Sequence, residues 1–482
     1  MTENTGIPKT LSTRHRFPEL DLLRFLAACS VMLFHYTFRG PEDHAWPGHF
    51  PHIGQIFKYG YLGVDVFFIL SGFVILLTAW QKDAVAFTIA RMVRLYPAYW
   101  TCVTLTTVAL LLAGNNLHRL TPGQYLANLT MLHSFFGIRD VSGVYWTLAV
   151  ELKFYFIIFL VLAARQVQRI GYILGGWLLA SILLSLGGTG GVARFFLFPQ
   201  WSSYFIAGAM FFLVHRDGPD VYKLCVIALC YVISLGYALN LLPWRATHIN
   251  QITTAAPVLV ALLTFFYLVF LAISLNRRAG SSSSRVFYVL GLLTYPLYLI
   301  HQDIGYILLR RAPAALGRDI ILLLVIAAII GLSGLIHYFP EKWLAFHLNR
   351  SLLAAQKIAV TGLSRAGRRV RARGLQMKTG APVGRVPSPG APGCEIFGLK
   401  PSSAPVPVMG STAVPPDALH RETPNPTPGG ASRSAGAPNS AGRVASSDGF
   451  APIASNSSPI VGEEVTSPPA SDRFASIAPN PS

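Results

Sequence analysis

The chain is poor in charge. Only 12% of its 482 residues are Asp, Glu, Lys or Arg, about half the ~25% of a soluble globular domain. With 52% hydrophobic residues and a mean hydropathy of +0.47, this scarcity argues against a water-soluble fold and for lipid as the solvent. Cysteine is scarce too. The five thiols, Cys29, Cys102, Cys225, Cys230 and Cys394, have no metal-ligand spacing, so neither a disulfide framework nor a metal site is expected. The polar start runs into an apolar segment too long for a signal-peptide core and has no small-residue cleavage site, so the first helix is expected to stay as an anchor. The net charge of +18 forms no contiguous basic face, which argues against nucleic acid as a partner. No internal repeat is visible in the apolar half, a point against a transporter built from inverted repeats.

What is present is a series of apolar runs, each near the ~20 residues a membrane span needs. They fall at 19–38, 60–80, 95–113, 143–163, 170–187, 194–214, 221–242, 253–275, 286–309 and 318–339. The expected fold is therefore an all-α integral membrane protein of about ten transmembrane helices. A short cytoplasmic segment (1–18) precedes a transmembrane domain (19–350). Residues 351–482 form a basic juxtamembrane stretch and a low-complexity tail. After Arg373 the composition turns to Pro, Ser, Ala and Gly, too little apolar surface to offset chain entropy, so a disordered tail is expected. Lys and Arg in short loops favour both termini inside, by the positive-inside rule. The basic run Arg365–Arg373 reads as an anchor on anionic lipid.

A few polar residues interrupt the apolar runs. Arg24 and His35 lie eleven positions apart in the first helix, roughly 16 Å along its axis and on nearly the same face. Ionisable groups at such depth cost several kcal/mol unless they face protein or water. Arg24 could instead snorkel or pair with Asp21, and His35 could make a neutral interhelical hydrogen bond. In GVDVFFILSGF, Gly63, Ser71 and Gly72 are small enough to let helices approach, and Asp65 is open in role. Arg91 and Arg94 share a helix face; two guanidinium forks there suit phosphates or a positive-inside anchor. Glu151 is placed eight residues below the outer end of the fourth helix, near the depth of His35, where a carboxylate would orient the imidazole. Lys153 reads as an ion-pair partner for a neighbouring helix. His301, with Tyr295 and Tyr298 close by on the ninth helix, reads either as a packing histidine or as a substrate contact. Glu341 is expected to cap or pair at the inner face.

These motifs, in this order, resemble the membrane-bound acyltransferase-3 family of multi-spanning O-acyltransferases. The matching stretches are Arg24 with His35, Gly63–Phe73, Arg91 with Arg94, Trp146–Glu151 followed by Phe154 and Tyr155, and Tyr295–His301; the resemblance covers about residues 15–350. Thr147 stands where the family pattern often has Ser, which keeps the hydroxyl. The resemblance implies transfer of an acyl group, often acetyl, from cytoplasmic acyl-coenzyme A to a hydroxyl of a carbohydrate or related acceptor, with no tightly bound cofactor. It implies His35 and Glu151 as catalytic residues, Arg24, Arg91 and Arg94 as donor-binding residues, and Ser71, Tyr298 and His301 as substrate or oxyanion contacts. A bacterial inner membrane is the expected location, and lipid, acyl-coenzyme A and the acceptor are the expected partners. The alternatives are an exporter of glycan or lipid-linked substrate, and a signalling scaffold acting through its tail.

Overall fold

A computed structural model describes residues 17–379, apart from 43–44, 49, 115–119, 188–190, 249–254 and 277–283. The expected N-terminal segment up to residue 16, the tail beyond residue 379 and Cys394 lie outside the described residues. The chain divides into a unit of residues 1–369 with 467–482 and a second of residues 370–466. The side chains discussed below belong to the first.

Among the described residues the secondary structure is helical throughout. The long helices are α1 (Pro18–Phe34), α2 (Gly63–Ala79), α3 (Ala84–Ala113), α4 (Trp146–Ala163), α5 (Ile170–Leu186), α6 (Pro199–Asp217), α7 (Val221–His248), α8 (Ala256–Leu275), α9 (Arg285–Arg311), α10 (Arg318–Ile336) and α11 (Lys342–Thr379). Each expected span thus corresponds to a helix. Nine helical segments among the described residues are long and apolar enough to cross a membrane, making this a multi-pass membrane protein. The tenth, α9, is as long as the others but less apolar, because Thr294, His301, Gln302 and Asp303 interrupt its hydrophobic run.

The largest boundary difference is in α3, which starts at Ala84 rather than near 95. The Asp83 side chain caps it by accepting from the Ala86 N–H at 2.8 Å, an end signal independent of hydropathy. The helix then runs through Arg91 and Arg94, which broke the apolar run in the sequence, and closes on Gly114 in the left-handed region (φ 65°).

Helix α6 is the centre of the bundle. Every residue from Ser202 to Val214 is buried, as suits a helix apolar on all sides. It crosses α2 backbone to backbone. A Cβ at Gly72 would lie 2.1 Å from the Phe205 carbonyl oxygen, and one at Gly208 would lie 1.9 Å from that of Ile69. Hydroxyl pairs tie α6 to its other neighbours: Ser202 donates to Ser181 of α5 at 3.0 Å, and Ser203, Ser234 of α7 and Tyr267 of α8 are linked at 2.9 Å each. Such bonds act as polar glue between membrane helices.

On the other side, α1 and α9 pack in parallel. Gly291 lies against Asp21, and the Tyr36 hydroxyl, in the turn that continues α1, donates to the His301 carbonyl at 2.7 Å. Residue numbers rise together along both helices, as they must if the first and ninth spans cross in the same sense.

Candidate functional site

A cavity of about 220 Å³ opens between α1, α2, α3, α4 and α9. Arg24, Arg91 and Arg94 all line it, as do Ser71, Glu151, Tyr155, Tyr295 and Tyr298. Three cations separated in sequence therefore converge on one space. Arg24 reaches Asp21 at 3.4 Å on its own helix, so it is both paired and turned to the cavity. Arg94 is held at 3.0 Å by Glu341, whose other oxygen meets His337 Nδ1 at 3.0 Å. The expected pairing of Glu341 is thus present, in a π-helical turn, His337–Glu341, that follows α10. Arg91 stacks against Phe87 and Tyr155 at 5.8 and 5.9 Å, and its buried Nε has no partner. A buried guanidinium nitrogen left without an acceptor is costly.

Glu151 belongs to this cavity. Its Oε1 accepts from Ser71 at 2.9 Å and from Tyr155 at 2.7 Å. The structure does not bring it to His35. The reason lies upstream of α4, where the chain dips into the bundle: Ser142 donates to Asp303, Gly143 packs on the Gln302 side chain, and Val141, Val144 and Tyr145 are buried. Helix α4 therefore starts deep, and a position inside its second turn lies near the arginines. Of the small residues on α2, Ser71 faces the cavity, Gly72 serves the crossing with α6, and Gly63 lets the Ala27 carbonyl approach.

Just past the end of α1, and farther along α9, two histidines meet. The rings of His35 and His301 are 5.2 Å apart, at 5% and 0% exposure. From cavity-lining Gly291 to His301 is ten residues, about 15 Å of helix. His35 Nδ1 bonds the Tyr306 hydroxyl at 3.0 Å, and that hydroxyl also reaches the His35 carbonyl at 3.3 Å. If Tyr306 donates to the carbonyl, it accepts Nδ1–H, and Nε2 is left as the basic nitrogen. His35 opens a π-helical turn, His35–Arg39; such insertions are frequent at functional sites. His301 Nδ1 donates to the Tyr298 carbonyl at 2.8 Å. Tyr298 stands between the two regions: it lines the cavity, its hydroxyl pairs with Thr147 at 3.1 Å, and its ring is 5.6 Å from that of His301.

Lys153 is the residue that differs most in its partner. Its ammonium lies over the Phe195 ring at 4.1 Å, a cation–π contact in place of the expected ion pair. No role for Tyr306, Tyr155 or His337 is legible in the sequence alone. Tyr306 is 271 positions from His35 and carries no local signal of its own; only the parallel packing of α1 and α9 brings it there.

The family model described as an acyltransferase domain matches residues 17–346. Among curated proteins, Nodulation protein 10 of Rhizobium leguminosarum bv. viciae is 26% identical over 383 residues, which cover 71% of this chain and 91% of that protein. Peptidoglycan O-acetyltransferase OatA of Listeria monocytogenes is 28% identical over 167 residues, 31% of this chain and 24% of its own length. No solved structure matches. The family match takes in α1 to α10 with both the arginine-lined cavity and the histidine pair, and the chain belongs to the acyltransferase-3 family of membrane acyltransferases.

Proposed function

We propose that the protein moves an acyl group, acetyl in the simplest case, from cytoplasmic acyl-coenzyme A to a hydroxyl of a carbohydrate acceptor at the membrane or its outer face. The observation that carries this reading is the pairing of a three-arginine cavity with a buried histidine pair about 15 Å farther along the same helices. Coenzyme A has its phosphates at one end and its thioester at the other, joined by a thin arm. Arg91, Arg94 and Arg24 hold the phosphates, and the arm passes Tyr298 to reach His35. The excess of Lys and Arg in the loops on one side favours a cytoplasmic mouth for that cavity. The name of one relative, a peptidoglycan O-acetyltransferase, favours a sugar hydroxyl as acceptor.

In the transfer, His35 Nε2 takes the proton of the acceptor hydroxyl while its oxygen attacks the thioester carbonyl carbon. The tetrahedral intermediate collapses with cleavage of the C–S bond. The imidazolium then returns the proton to the coenzyme A thiolate. Tyr298, between the cavity and His301, donates to the oxyanion. Glu151, bound to Ser71 and Tyr155, spaces the guanidiniums rather than orienting His35.

The test is release of free thiol from acetyl-coenzyme A by the purified protein in lipid, with and without methyl glycosides as acceptors. Acceptor-dependent thiol release that is lost in His35→Ala supports the reading. Wild-type thiol release by His35→Ala contradicts it, and glycoside flux without donor consumption would point to an exporter.

A further inference from the structure

Glu151 is a carboxylate among guanidiniums that does not pair with them. It shares its cavity with Arg24, Arg91 and Arg94, yet Arg24 pairs with Asp21 and Arg94 with Glu341. Glu151 Oε1 instead accepts from two hydroxyls, Ser71 at 2.9 Å and Tyr155 at 2.7 Å. Its Oε2 takes no hydrogen bond from a described residue. An ionised carboxylate only accepts hydrogen bonds, and it repels a phosphate. A ligand group beside Oε2 must therefore carry an N–H or O–H.

Tyr295 offers the complementary group. It lines the same cavity from α9. Its hydroxyl is buried and has no hydrogen-bond partner, so it does not bond Glu151, although the Glu151 charge acts on it across the gap. Arg94 lies over the Tyr295 ring at 5.8 Å. An acceptor and a donor thus border one volume of about 220 Å³ without meeting across it.

In the donor reading given above, the phosphates of coenzyme A sit on the arginines and the pantetheine arm runs on from them. That arm carries two amides. A trans amide points its N–H and C=O to opposite sides, and a buried amide needs both groups bonded. We propose that Glu151 and Tyr295 clamp the amide of the arm nearer the phosphates: Glu151 Oε2 accepts its N–H, and the Tyr295 hydroxyl donates to its C=O. The nearer amide is the one concerned because both side chains border the same cavity as the arginines, whereas the farther amide lies toward the thioester and the histidines. The inference rests on that donor reading and gives Glu151 a contact with the donor in addition to spacing the guanidiniums.

The experiment measures kcat/KM for three thioesters with purified protein in lipid and methyl glycosides as acceptors. Acetyl-coenzyme A has the phosphates and both amides, S-acetylpantetheine has both amides alone, and N,S-diacetylcysteamine has only the amide nearer the sulfur. Tyr295→Phe removes one hydroxyl. It should lower kcat/KM about tenfold with the first two donors and leave N,S-diacetylcysteamine within about twofold of wild type. Glu151→Met should show the same contrast between the two short donors, where no phosphate is present to report on the arginines. Where a short donor turns over too slowly, its thiol serves as a competitive inhibitor of acetyl-coenzyme A and gives the same comparison through Ki. Should Glu151→Met fail to insert, Tyr295→Phe decides alone. An equal loss with all three donors, a loss with acetyl-coenzyme A alone, or no loss overturns the inference; the second of these would mean that Tyr295 acts through Arg94 on the phosphates. Wild-type protein that neither turns over nor binds any of the three would instead remove the donor reading.

Discussion

The two ends of the α1–α9 pair are built on opposite principles. At the arginine end the cations are half-exposed; the Arg24 and Arg94 side chains are at 27% and 38%. They line an open volume, and carboxylates hold two of them from the side. At the histidine end the groups are nearly sealed: the histidines are tied to tyrosines and carbonyls, and a cation, Arg39, is buried at 1% exposure. Open charge suits capture of a charged ligand from water, where long-range attraction helps. A sealed polar site suits proton transfer, since interactions there are stronger and water does not compete. On the proposed function, binding and chemistry are divided along one pair of helices, and substitutions should separate in the same way.

His35→Ala should give the largest effect, a fall in kcat of about 10²–10⁴-fold, the usual contribution of a general base, with the donor KM little changed. A large KM shift there would break the division between the ends. Arg91→Gln combined with Arg94→Gln should do the reverse and raise the acetyl-coenzyme A KM by about 10–100-fold, as expected from losing charge-assisted bonds of ~1.5–3 kcal/mol. A dominant kcat loss in that variant would equally break it. Glu341→Gln sharpens the comparison. It loosens Arg94, which is 38% exposed, so the discounted effect is a rise in donor KM of about threefold, read in the same assay. The smallest effect should come from Lys153→Met, which removes a cation–π contact of ~0.5–1 kcal/mol outside both ends; kcat/KM should remain within about twofold.

Much of the fold could be read in the sequence because lipid imposes a coarse and strong rule: backbone polar groups must be satisfied within each span. Long apolar runs therefore became helices α1 to α10. Boundaries set by capping chemistry, such as Asp83 before α3, escaped a reading based on hydropathy. For the site, Arg91 and Arg94 could be grouped because they lie three apart on one helix. Arg24 joined them through a tertiary meeting that axial depth anticipated. Glu151 lies in the arginine-lined cavity because α4 begins inside the protein after the Ser142–Asp303 contact, a depth that the end of an apolar run does not give. Tyr306 and the π-helical turn at His35 depend on α1 packing against α9, and no pattern within either helix encodes that.

A division of donor recognition from catalysis can be tested with one pair of donors. Acetyl-coenzyme A and S-acetylpantetheine share the reacting thioester, but only the former carries the phosphates. Their kcat/KM values should be measured for wild type and for the Arg91→Gln, Arg94→Gln protein in the same lipid. Wild type should prefer the coenzyme A ester strongly, and the variant should lose most of that preference by falling toward the pantetheine value. An undiminished preference in the variant would show that the phosphates are held elsewhere and would contradict the role given to the arginine-lined cavity.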